Sequence, residues 1–234
     1  MAQNLVVIPT YNEKDNIAQL VQQVIKLPEG FDVLIVDDNS PDGTGALAER
    51  LAQDNKCVFV IHRKGKMGLG TAYREGFAFA LREGFEHVIE MDADFSHDPR
   101  YLPEFIKKFK EGYDVVIGSR YITGGGISNW AQNRKALSKY ANMYARFSTR
   151  LPVMDTTGGF NGFKRQVLEA IDINTLRSNG YAFQIEVKYR AWKKGFRLVE
   201  FPIVFSERTR GYSKIGKGII WEALWGVWRL RLGR

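Results

Sequence analysis

Short apolar runs alternate along the chain with longer stretches in which apolar residues recur every three or four positions. NLVVIP precedes a segment with Ile17, Leu20, Val21, Val24 and Ile25 on one helical face, and DVLIVDD precedes an amphipathic stretch near residues 44 to 53. CVFVIH, a glycine-rich loop, a helical pattern around residues 71 to 82, HVIEMD, a helix from about Tyr101 to Lys110 and DVVIGS continue the series. Apolar runs of this length suit buried strands, and the 3.6-residue period suits helices packed on them. The repeated β-α-β order predicts an α/β fold, a Rossmann-like and mostly parallel sheet with helices on both faces. Beyond Tyr121 the pattern loosens: GGG at 124 to 126 predicts a loop, residues 130 to 149 a long helix, and DTTGGFNGF a second glycine-rich turn. A helix over about Tyr181 to Lys194 and a strand over about Arg197 to Phe205 close the domain.

In parallel sheets ligands bind beyond the carboxyl ends of the strands. Polar clusters follow each of the first five runs here: PTYNE, DDNSPDG, RKGKMGLG, DADFSH and GSRY. Asp92 and Asp94 in the fourth cluster repel each other, so they belong either to a solvated turn or around a cation, and the pair alone leaves both open. His97, beside Asp98 and Pro99, is expected to pack or cap its turn, and Asp37 to hold the backbone amides of the DNSPDG turn.

The 234 residues, 44% of them hydrophobic, supply an ample core and exclude a disordered chain. A single cysteine, Cys57, excludes an internal disulfide and a cysteine zinc cluster. The N-terminus has no basic stretch followed by a long apolar one, so a cytoplasmic protein is expected. Six of the eight net positive charges fall after Glu207, where seven Arg and Lys residues face Glu222 alone, which directs attention to an anionic ligand or surface at that end. Two phosphate motifs fail: GLGTAY has Tyr73 in place of a third glycine and follows the third strand, and GYSKIGKG has Gly218 where a P-loop needs Ser or Thr. The basic residues lie among tryptophans without a nucleic-acid motif, so no nucleic-acid partner is expected.

VVIPTYNE, IVDDNSPDGT, GLGTA, MDADFSH, GSRY and ERTRGYSK together resemble the inverting family 2 glycosyltransferases of the GT-A fold. Within that family the chain is most similar to the polyprenyl-phosphate mannosyltransferases, the dolichol-phosphate mannose synthase group, over residues 4 to 216. The resemblance implies that Pro9, Tyr11, Glu13, Val36 and Asp38 hold the nucleoside of GDP-mannose or UDP-glucose. It further implies that Asp92, Ala93 and Asp94 hold the diphosphate through Mg2+ or Mn2+, with Ser96 close to the metal, and that Arg208 and Lys214 close over the donor. Arg120, Arg134 and Ser138 would receive the phosphate of a polyprenyl or dolichyl acceptor, beside Asp94 as the other residue of the reacting centre. Some relatives carry Gln where this chain has Ser96, which leaves room for an extra water at the metal. A divalent ion bound by hard carboxylate oxygens accounts for the paired aspartates, because it neutralises the charge that builds on a departing diphosphate. The missing general base also finds a reason: a phosphate monoester with a second pKa near ~6 is already a nucleophile at neutral pH and needs cationic positioning instead.

Residues 1–216 thus read as the catalytic domain and residues 217–234 as a separate amphipathic segment. IIWEALWGVWRLRL puts Glu222, Gly226 and Arg229 on a narrow stripe and Trp221, Leu224, Trp225 and Trp228 on the rest. As a helix it reaches only ~21 Å, short of a ~30 Å hydrocarbon core. Peripheral contact with the cytoplasmic face of a membrane, or with a small membrane-protein partner, is the expectation. The main reading is hexose transfer to polyprenyl phosphate; a non-catalytic, membrane-bound sugar-nucleotide sensor is the alternative from another class.

Overall fold

A computed structural model describes residues 3–206 apart from residue 177; the expected tail segment, and Arg208 and Lys214, expected to close over a donor, lie outside the described residues. Nine strands and seven α-helices are described: β1 (Asn4–Thr10), α1 (Lys14–Ile25), β2 (Phe31–Asp37), α2 (Thr44–Asp54), β3 (Val58–His62), α3 (Leu69–Glu83), β4 (His87–Glu90) and α4 (Leu102–Lys110) form the first half. β5 (Val115–Ser119), β6 (Gly126–Ile127), α5 (Gln132–Thr149), β7 (Asn161–Lys164), α6 (Arg165–Ile171), α7 (Gly180–Lys193), β8 (Leu198–Pro202) and β9 (Val204–Phe205) form the second. Seven strands make one sheet in the order β3-β2-β1-β4-β7-β5-β8.

Alternate side chains of the buried strands enter two cores, one on each face of the sheet. Val6, Ile8, Val33 and Ile35 meet Ile17, Leu20 and Val21 of α1, Ala48 of α2 and Phe105 of α4. Leu5, Val7, Leu34 and Val36 meet Tyr73 and Phe77 of α3, Val167 of α6 and Phe183 of α7. This is the predicted α/β layering.

Two expectations need correction. DTTGGFNGF is not only a turn, because its second half is β7, antiparallel to both β4 and β5 with Gly162 opposite Ile89 and Val116. A glycine inside a strand reads as a breaker, yet here the residue is set by packing: a Cβ on Gly162 would stand 2.7 Å from Phe105 and 2.9 Å from Phe109. The last expected strand is two, β8 on the main sheet and β9 paired in parallel with β6 of the GGG loop. Because β7 runs antiparallel, its first residue, Asn161, lies at the same edge as the carboxyl ends of β4 and β5.

Candidate active site

The loops after β1, β2, β3, β4 and β5 converge with α5 and the start of α7 around a cavity of about 470 Å³. Of the expected nucleoside residues, Pro9, Tyr11, Glu13 and Asp38 line it. Val36 does not: its side chain is fully buried in the core beside α3. Asp38 is held by Arg63, whose Nη1 lies 2.6 Å from it, while the same guanidinium reaches Glu75 at 3.0 Å and Thr71. Burial pushes the Asp38 carboxyl up, and the nearby Arg63 charge offsets part of that rise. Glu13 accepts from Asn16 at 2.9 Å at the start of α1, and Lys66 stands 4.9 Å over the Tyr11 ring. Asp37, adjoining Asp38, accepts from the Ser40 amide at 3.0 Å and hydroxyl at 2.6 Å, the turn-holding role its position foretold.

The paired aspartates sit in a tight turn after β4. Phe95 adopts φ 61°, a left-handed conformation unusual for an aromatic residue, and the turn brings the Ser96 amide to Asp94 Oδ1 at 3.0 Å. His97 Nδ1 accepts from the Asp92 amide at 3.0 Å, so the ring's proton resides on Nε2; the ring stacks on Phe160 at 4.7 Å. His97 is therefore a buried bracket of the aspartate turn. Asp92, Ala93, Asp94 and Ser96 all line the cavity. Among the described residues no group of three His, Cys, Asp or Glu side chains is arranged as a metal site. The fit to a divalent ion rests instead on two carboxylates and one hydroxyl: Ser96 Oγ is buried and without a hydrogen-bond partner, an oxygen left over by the protein's own bonding. That donor set suits Mg2+ or Mn2+, whose remaining positions commonly go to water and phosphate oxygens.

The cavity wall also includes Arg120, the residue after β5, and Arg134, in the first turn of α5. Arg120 is buried and its fork grips Asp155, with Nε to Oδ2 at 2.7 Å and Nη2 to Oδ1 at 2.8 Å. Nη2 also donates to Thr157 at 3.1 Å, which leaves Nη1 outside the fork. Burial alone would raise the Asp155 carboxyl, but the Arg120 charge holds it below the usual carboxylate range. The Arg134 guanidinium lies 3.8 Å over the Trp130 ring, a cation–π contact that sets its plane. Ser138, one turn along α5, accepts from the Tyr121 hydroxyl at 2.7 Å and is not on the cavity wall.

Behind these side chains lies a buried polar layer that the motifs did not reveal. Lys188, fully buried in α7, donates to the carbonyls of Asp155, Thr156 and Gly158 at 3.3, 3.1 and 2.9 Å and so fixes the turn that presents Asp155. Asn142 Oδ1 accepts from the Thr156 and Thr157 amides at 2.8 and 3.2 Å, tying that turn to α5. Burial drives the fully enclosed Glu90 carboxyl up and the Lys188 ammonium down. Little in the sequence marked them: Gln184, Glu186 and Lys188 are polar residues of a helix that also carries Arg190 and Lys193, and only the fold shows the first three to be buried.

Residues 5–172 match the family Glycosyl transferase family 2. The chain is 46% identical over 236 residues to polyprenol monophosphomannose synthase of Mycolicibacterium smegmatis, covering 98% of this chain and 89% of that protein. It is 41% identical over 225 residues to undecaprenyl-phosphate mannosyltransferase of Micrococcus luteus, covering 96% and 92%. Among solved structures, glucosyl-3-phosphoglycerate synthase from Mycobacterium tuberculosis, crystallised with Mn2+, UDP and glucosyl-3-phosphoglycerate, superposes with a TM-score of 0.71 at 17% identity, over 98% of this chain and 80% of that one.

Proposed function

The chain belongs to glycosyl transferase family 2, and from that premise we propose that it transfers mannose from GDP-mannose to a polyprenyl phosphate, in one displacement with inversion at the anomeric carbon. One observation carries this reading: the same cavity has a carboxylate pair, Asp92 and Asp94, and two guanidinium groups, Arg120 and Arg134. Such a cavity suits two anions at once, a leaving diphosphate held through the carboxylates and an attacking phosphate held by the arginines.

Asp92, Asp94 and Ser96 would hold Mg2+ or Mn2+, which would supply Lewis-acid neutralisation of the leaving group. The chain's own residues do the rest. Asp155 holds Arg120 so that Nη1 can donate to an acceptor phosphate without the side chain having to be ordered at each turnover. Trp130 does the same for Arg134. No protein base removes a proton, because the acceptor phosphate arrives already charged. Trp130 and Phe205 add apolar surface to the cavity wall.

Contact with a lipid surface is supported by α5. Leu137, Tyr140, Met143 and Phe147 are 50%, 65%, 57% and 81% exposed along one side of the helix that carries Arg134. A stripe of this kind, flanked on one side of the helix by the exposed Lys139, suits the interface where a polyprenyl phosphate presents its head group. Among the described residues no helix is long and apolar enough to cross a membrane, and the contact proposed is peripheral, on the cytoplasmic face. The test incubates the protein with polyprenyl phosphate and labelled GDP-mannose or UDP-glucose separately. Label from GDP-mannose should enter the organic phase; label from UDP-glucose alone would reassign the donor.

A further inference from the structure

One hydroxyl on the cavity wall holds a proton that the surrounding side chains do not take up. Thr157, in the turn that follows Asp155, is 7% exposed and lines the cavity together with Arg120. Its Oγ1 accepts from Arg120 Nη2 at 3.1 Å and from Asn142 Nδ2 at 2.9 Å. Both directions are fixed. A guanidinium only donates, and the Asn142 amide is oriented by the backbone N–H groups of Thr156 and Thr157, which donate to its Oδ1 at 2.8 and 3.2 Å. The two hydrogens of Asn142 Nδ2 go to the Ser138 carbonyl at 3.1 Å and to Thr157. With both lone pairs of Oγ1 taken, Thr157 has only its O–H to offer, and none of the described residues accepts it.

Buried polar groups are nearly always satisfied, so a proton left over on a ligand cavity marks where a ligand oxygen completes the bonding. The geometry points to Thr157 as an acceptor-binding residue whose hydroxyl donates to an oxygen of the attacking phosphate. This inference rests on the transfer reading above, in which Arg120 holds that phosphate. A hydroxyl that can only donate suits oxygens that can only accept, which is what a phosphate dianion presents next to a guanidinium. Accepting from the Arg120 cation also polarises the hydroxyl and makes it the stronger donor. Thr157 thus supplies the hydroxyl that was expected from Ser138, which is off the cavity wall and bonded to Tyr121.

Calorimetric titration with a short, water-soluble polyprenyl phosphate, and separately with GDP in Mg2+ buffer, compares the wild-type chain with Thr157→Val and Thr157→Ser. Thr157→Val keeps the shape and removes the hydroxyl; it should weaken the polyprenyl phosphate Kd about tenfold or more, as for a lost hydrogen bond to a charged group, and leave the GDP Kd within about twofold. Thr157→Ser, which keeps the hydroxyl, should bind both within about threefold of wild type. The same Val substitution in an Arg120→Lys background separates direct contact from an effect relayed by the guanidinium: a hydroxyl that touches the phosphate still costs at least about threefold there. Equal affinity of wild type and Thr157→Val for the polyprenyl phosphate overturns the assignment, as does the absence of any further loss in the Arg120→Lys background. Should Thr157→Val fail to fold, Thr157→Cys, whose sulfur accepts weakly and whose S–H is a poor donor, carries the same comparison. A wild type that binds polyprenyl phosphate through Thr157 but moves no label from GDP-mannose into lipid would sink the transfer reading and support the Thr157 assignment.

Discussion

Asp155 sets what Arg120 can do, because a guanidinium buried on the cavity wall needs a fixed counter-charge to stay there. Removing that partner in Asp155→Ala should destabilise the protein by about 3–5 kcal/mol, measured as a lowered urea midpoint, since the Arg120 charge is left buried and unpaired. The Asp155 carboxyl titrates lower in the folded chain than in the unfolded one, so the pair's stabilisation is present above the ordinary aspartate pKa of ~3.9 and is lost as pH falls through the folded value. His87 behaves differently. Its Nδ1 meets Asn4 Oδ1 at 2.8 Å and its ring stacks on Phe109 at 4.5 Å; burial, helped by Lys164 and Lys110, lowers its pKa to about 4. The unfolded histidine, with a pKa near ~6.5, takes up protons before the folded one, so this site's stabilisation is complete above about 6.5 and fades as pH falls toward 4. His87→Phe should flatten the stability profile in that window, and an unchanged slope in urea melts at successive pH values would refute the assignment. Arg134→Ala should raise KM for the lipid phosphate about tenfold or more, as for a lost charged hydrogen bond, with nucleotide Kd unchanged. Loss of nucleotide affinity instead would move Arg134 to the donor side.

At the scale of elements, the β-α-β order and the long α5 were legible because period-2 and period-3.6 patterns survive in single segments. β7 was not, because Gly162 looks like a breaker until the rings of Phe105 and Phe109, more than fifty residues earlier, are known to press on it. Gly162→Ala should therefore destabilise the protein by about 1–3 kcal/mol through overpacking, read as a lower thermal midpoint. The exposed side of α5 makes the opposite prediction. Met143 and Phe147 contribute little to the fold at 57% and 81% exposure, so Met143→Ser with Phe147→Ser should leave stability within about 0.5 kcal/mol. The same double variant should pellet severalfold less with anionic vesicles while retaining transfer to a short, water-soluble polyprenyl phosphate. Undiminished pelleting would take the membrane contact away from α5.

Across the whole molecule, the site is the carboxyl edge of one sheet, and the residues that sequence could find are those that follow a strand directly. Asp92, Asp94 and Arg120 advertise themselves by standing at the end of an apolar run. Asp155 and Gln184 do not, since each acts through a partner far along the chain: Arg120 and Asp155 are 35 residues apart, and Gln184 meets Asn161 across 23. Arg63 does follow β3, but its pairing with Asp38, 25 residues away, is as hidden from the sequence. Pattern within a segment carries the frame of the fold, whereas the buried bracing behind the cavity depends on which segments the topology brings together. The central claim is that the cavity between the paired aspartates and the two arginines performs transfer. Its most direct measurement is label transfer from GDP-mannose to polyprenyl phosphate by wild type and Asp94→Asn side by side, with EDTA and with added Mg2+ or Mn2+. Wild type should transfer only with the ion present, and Asp94→Asn, melting within about 2 °C of wild type, should lose at least about a hundredfold in rate, the several kcal/mol expected when a metal's charge stabilisation is impaired. Full activity of Asp94→Asn in the metal-replete buffer would contradict the account.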